Sequence, residues 1–135
     1  MNEPVAFPVK LAGDTQIALG ATGTARYTDA FQFGDVDYFA LSYIATCTGT
    51  PSIKIEMEQS IVKPAVGNEN AADTNFGVPK RIGNIETALV SKTIQHVQLY
   101  PVTLPYVRFK LTALAGSPTD IVMNMWLSLQ KKFTQ

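Results

Sequence analysis

The chain has 135 residues, eleven basic and eleven acidic side chains, and 46% hydrophobic against only 16% charged residues. That length fits one domain with a real core. The zero net charge excludes the basic excess with which non-specific nucleic-acid binders neutralise phosphates. Charge this sparse, against roughly 25% in an average globular protein, implies a surface that is partly covered or is neutral and rich in Thr, Ser, Gln and Asn.

Met1–Leu11 carries Pro4 and Pro8, which keep it out of helices and sheet centres. Its apolar residues Val5, Phe7 and Val9 alternate. The stretch reads as an extended N-terminal arm over 1–12 that adds as a strand along a neighbouring molecule. It lacks the long apolar core of a signal peptide, and no segment of the chain reaches the length of a membrane span. The expectation is a soluble chain made in the cytoplasm, starting at Met1, with no membrane partner.

Residues 13–135 read as one all-β domain. Gln16–Leu19 is a short strand, and Thr22–Phe33 is two strands or one bent strand. Asp35–Thr48 is almost continuously apolar and reads as a central strand covered on both faces. Ser52–Gln59 alternates Ile53, Ile55 and Met57 against Lys54, Glu56 and Glu58. Ala88–Tyr100 breaks near Ser91–Lys92. Tyr106–Ala113 sets Val107, Phe109 and Leu111 against Arg108, Lys110 and Thr112, and Asp120–Gln130 sets Ile121, Met123, Met125, Leu127 and Leu129 against Asn124, Trp126 and Ser128. Such period-two rows each have one face in a core. Turns at Ala12–Asp14, Gly20–Gly23, Gly34, Thr48–Ser52 and Ala115–Asp120 separate them. About eight antiparallel strands at this spacing suit a jelly-roll-like sandwich. The polar loop at 64–84 is long enough to suggest a functional segment or one ordered by a partner. Asn75, Phe76, Lys80 and Arg81 are its expected contact residues.

Chemistry-bearing residues are few. Glu56 and Glu58, two apart on one strand face, would hold their carboxylates roughly 6–7 Å apart, a spacing found in glycosidase pairs. Such a pair needs a cleft and one desolvated acid. With Lys54 in the same row and Arg108 and Lys110 on another strand, a solvated charge ladder is the simpler reading. The single Cys47 excludes an intrachain disulfide and reads as a small buried hydrophobe. His96 has no visible zinc partners, and no GxSxG elbow accompanies it. Asp29, Asp35 and Asp37 lack the ligand run of a calcium loop, and Gly20–Gly23 lacks the sequence of a phosphate cradle. No cofactor is implied. Trp126 falls on the outward row, where it is a sugar platform or an interface anchor, unless that face is covered too.

YPVTLPYVRFKLTALAGSPTDIVMNMWLSLQ, Tyr100 to Gln130, resembles a pattern in small virion-associated proteins of tailed bacteriophages. In that pattern a Pro precedes a PYxRxK strand, a Gly/Ser turn follows, and an alternating strand closes on LxLQ. DVDYFALSYIATCTGTPSIKIEMEQS resembles its companion: an apolar strand, a short turn and a charged alternating strand. The resemblance spans Asp35–Gln130. It implies a non-enzymatic β-sandwich of the virion, above all a capsid decoration (auxiliary head) protein whose partners are the major capsid protein and copies of itself, with trimers at three-fold positions. Pro105, Tyr106 and Arg108 carry over as structural positions, and no catalytic residue does. A tail, neck or head-fibre subunit and a carbohydrate-binding sandwich using Trp126, Tyr100 or Tyr106 are the alternatives.

Overall fold

The computed structural model describes residues 5–32, 38–78, 84–86, 92–99 and 104–130. These form ten strands: β1 (Val5–Val9), β2 (Ile17–Ala18), β3 (Ala25–Tyr27), β4 (Phe31–Gln32), β5 (Tyr38–Thr46), β6 (Ile53–Ser60), β7 (Asn84–Glu86), β8 (Gln95–Leu99), β9 (Tyr106–Ala113) and β10 (Val122–Gln130). One sheet runs β1-β10-β5-β8, with β2 also on β10, and the other runs β3-β9-β6-β7, with β4 also on β9. Every pairing is antiparallel. β1 and β2 are two pieces of one strand along β10, and β3 and β4 are two pieces of one strand along β9. Joined in this way the strands number eight, in spatial order 1-8-3-6 and 2-7-4-5. That order is the jelly roll.

The alternating rows build the core. Phe39, Leu41, Tyr43 and Ala45 of β5 and Met123, Met125 and Leu127 of β10 face Ile53, Ile55 and Met57 of β6 and Val107, Phe109, Leu111 and Ala113 of β9. All are at most 3% exposed, and each large side chain so buried contributes about 1.5–3 kcal/mol. Register follows from this, since a slip by one residue would turn the whole row outward.

Two ends are fastened by local chemistry. At Leu11–Asp14 the backbone bonds run both ways, at 2.9 and 3.0 Å, across a turn with positive φ at Ala12 (51°) and Gly13 (83°). That is the mirror-image turn a tight hairpin prefers. At the opposite strand ends Ser117 Oγ donates to the Ser52 carbonyl at 2.6 Å and accepts from the Ser52 N–H at 2.9 Å.

Two expectations change. Residues 5–9 do not stand off as an arm: Val5, Phe7 and Val9 lie opposite Leu129, Leu127 and Met125 as the edge strand of the chain's own sheet. The alternation read as suited to a neighbour fits β10 equally well. Of the stretch Asp35–Thr48, β5 (Tyr38–Thr46) is central in its sheet, but it is covered on one face only. Ala40, Ser42 and Ile44 on its other row stay half-exposed.

Candidate functional site

The charged row on the outward face of the β3-β9-β6-β7 sheet divides in two. At one end Lys54 and Glu56, two apart on β6, form a partly exposed ion pair, 3.5 Å apart with side chains 36% and 14% exposed. At the other, Arg108 and Glu58 are buried. This corrects the solvated reading of that pair. Glu58 and Arg108 face each other across β6 and β9. Arg108 Nε donates to Glu58 Oε1 at 3.0 Å, with the arginine fully buried.

The cover is the long loop after β6. It leaves Ser60, crosses β9 and reaches β3, where Asn70 Nδ2 donates to the Tyr27 carbonyl (2.9 Å) and to Asp29 Oδ1 (2.8 Å). It then returns to pair Gly77 with Gln59. Arg108 is the post it winds around. Its Nη1 donates to the carbonyls of Glu69 (3.2 Å) and Ala71 (2.8 Å). The guanidinium centre lies 4.4 Å from the Tyr27 ring centroid and 4.2 Å from that of Phe76. Arginine suits this place because its planar fork donates in plane while its faces stack on aromatics. Phe76, expected as a partner contact, is therefore turned inward and only 6% exposed. Asn75 remains exposed, and Lys80 and Arg81 lie outside the described residues. Lys110, partly exposed, sits 5.9 Å from the Tyr27 ring.

Asp29, weighed only as a calcium ligand from the sequence, is a clamp. Its two carboxylate oxygens accept the N–H groups of Ala12 (2.8 Å) and Gly13 (3.0 Å) as well as the Asn70 amide. It thus ties the first turn to the long loop. Asp35 and Asp37 lie outside the described residues. Among the described residues no three His, Cys, Asp or Glu side chains cluster as metal ligands do. A cleft of about 490 Å³ opens beside the clamp, lined by Asp29, Lys63, Glu69, Asn70 and Tyr106 among others. Glu56 and Glu58 are not among the residues that line it. Cys47 packs partly against the core.

The surface also carries large apolar side chains. Ile61 (73% exposed), Val62 (51%) and Val66 (95%) stand on the loop, and Ile94 (47%) precedes β8. Of the three expected arm contacts, Val5 (51%) and Phe7 (43%) are exposed, while Val9 is in the core and is not available to a partner. Phe7 and Phe31 help to line a shallow groove between the sheet edges. On the outward face of the other sheet, Pro8, Trp126, Ser42 and His96 lie in one cross-strand row. Ser42 Oγ and His96 Nδ1 share a hydrogen bond of 2.7 Å. Trp126 is partly exposed, as its row implied.

No family model matches the chain. No curated protein matches it. Among solved structures the chain is similar to the catalytic domain of GH87 alpha-1,3-glucanase. The D1068A form with tetrasaccharides aligns at 12% identity and TM-score 0.37 over 97% of this chain and 28% of that one. The form with nigerose aligns at 16% identity and TM-score 0.33 over 88% and 22%. The chain thus spans under a third of the length of the structures it matches.

Proposed function

We propose that this chain is a non-enzymatic structural protein of a tailed-phage virion, in the first place a capsid decoration protein that sits on the head shell and bridges coat subunits. The observation that carries the reading is a jelly roll with large apolar side chains held out on its loops and edge, at Val5, Phe7, Ile61, Val62, Val66 and Ile94. Exposed apolar groups on a rigid frame suit work by contact. The pattern resemblance over Asp35–Gln130 supplies the virion setting. Many weak contacts on a symmetric shell add up by multivalency, and binding to the assembled state stabilises it by mass action.

Quantitative mass spectrometry of purified particles tests this. Copy number comparable to the coat protein supports decoration. A few to some tens of copies support a neck, tail or fibre subunit. Absence from particles removes the virion reading.

A further inference from the structure

Charge is segregated between the two sheet faces. The outward row of the β3-β9-β6-β7 sheet holds Lys54, Glu56, Glu58, Arg108 and Lys110. The outward row of the β1-β10-β5-β8 sheet is different. At its paired positions it presents Ala6 and Pro8 from β1, and Val122, Asn124, Trp126, Ser128 and Gln130 from β10. β5 adds Ala40, Ser42, Ile44 and Thr46, and β8 adds His96. No Asp, Glu, Lys or Arg is among the described outward positions. Trp126 lies mid-sheet, with Pro8 and Ser42 across from it and Asn124 and Ser128 along its own strand. This is also where a continuously apolar strand, β5, keeps a half-exposed row.

From these observations we infer that the outward face of the β1-β10-β5-β8 sheet is a self-association surface, on which a second copy of this chain packs face to face about a two-fold axis. A two-fold contact brings one patch against itself. Any charge near its centre then meets a like charge, which costs affinity. Of the two sheet faces, this one meets that condition. Small residues around a central Trp let each indole seat over the partner's Ala and Ser positions, and Trp is the residue type most enriched at the anchors of interfaces. Strand spacing and rise give a face of roughly 450 Å² per copy. The pair then buries about 900 Å² before rim loops are counted, below the roughly 1,200–2,000 Å² of stable specific contacts and in the range of weak, transient ones. Such a dimer is weak in isolation and gains strength where many copies are held together.

The inference rests on the proposed function only for its biological setting. Loss of the virion reading, by absence from particles, would leave it standing, and it is tested on the purified chain alone. The test is sedimentation velocity of the full chain across micromolar to near-millimolar concentration, with three variants whose fold is checked by circular dichroism. Ala40 and Ser128 are cross-strand neighbours on the face. The variants are Ala40→Lys/Ser128→Lys, Ala40→Glu/Ser128→Glu and, on the opposite sheet, Lys54→Glu.

The expected result is a reversible dimer. It weakens at least about tenfold in each double variant, is restored when the Lys and Glu variants are mixed, and is unchanged by Lys54→Glu. Restoration on mixing reads the face meeting itself, which a merely destabilised fold would not give. A chain that stays monomeric throughout, an oligomer with an odd number of copies, or a dimer indifferent to both double variants would each overturn the inference. So would a monomer whose face binds a glycan through Trp126.

Discussion

Replacing Arg108 with Ala decides between two physical pictures of the same ion pair. In an exposed ladder the substitution costs about 0.2–1 kcal/mol. In the observed site it removes the bond to Glu58 at 3.0 Å, two bonds to the loop carbonyls of Glu69 and Ala71, and two aromatic stacks. It also leaves Glu58, 8% exposed, without its cation. Breaking a buried pair in this way costs about 3–5 kcal/mol. For a domain of this size roughly 3–5 °C of melting temperature accompanies each kcal/mol, so a fall of about 9–25 °C is expected.

The assays are urea denaturation for the free energy and limited chymotrypsin digestion for the loop. Cleavage after Phe76 should accelerate, because that ring loses the guanidinium it stacks on. A double variant, Arg108→Met with Glu58→Leu, should recover only part of the lost stability: the apolar pair carries no desolvation penalty, but the Glu69 and Ala71 carbonyls still lose their donor. A loss below about 1 kcal/mol for Arg108→Ala, with the loop still resistant to chymotrypsin, would refute the claim that this arginine holds the loop.

Asp29→Ala should cost about 2–3 kcal/mol, from the loss of three hydrogen bonds to a charged acceptor. Hydrogen exchange at the Ala12 and Gly13 amides should rise by orders of magnitude, and unchanged exchange would remove the clamp. Ala12 sits at φ 51°, a region that costs a non-glycine residue about 1–2 kcal/mol. Ala12→Gly should therefore stabilise by about 0.5 kcal/mol after the entropy of the added glycine, measured by the same urea titration. The Thr48 N–H donates to Asp120 Oδ2 at 2.9 Å, and the hydrogen bonds from Thr48 hold that carboxyl below its ordinary value. A group depressed on folding stabilises above its unfolded pKa and loses that contribution as pH falls through the folded one. The turn at Thr48 should loosen below about pH 4, and Asp120→Asn should flatten that dependence in a melting series.

The sequence by itself determined the sandwich. Ile53, Ile55 and Met57, Val107, Phe109 and Leu111, and the Met123–Leu127 row announced their inward faces, because side chains alternate along a strand whatever the rest of the chain does. The turns at Ala12–Asp14 and Thr48–Ser52 were legible for the same reason, as local backbone chemistry. What lies above a strand's outward face is a different matter. Arg108 and Lys54 occupy equivalent outward positions by pattern, yet one is buried and the other is not. A loop dozens of residues away in sequence covers only the first. Phe76, the one aromatic ring in that loop, was the local sign that the loop had somewhere to dock. Likewise nothing local told Val5, Phe7 and Val9 to choose β10 of their own chain over a neighbour's edge. Strand pairing and the covering of faces are long-range contacts, and only the tertiary structure decided them.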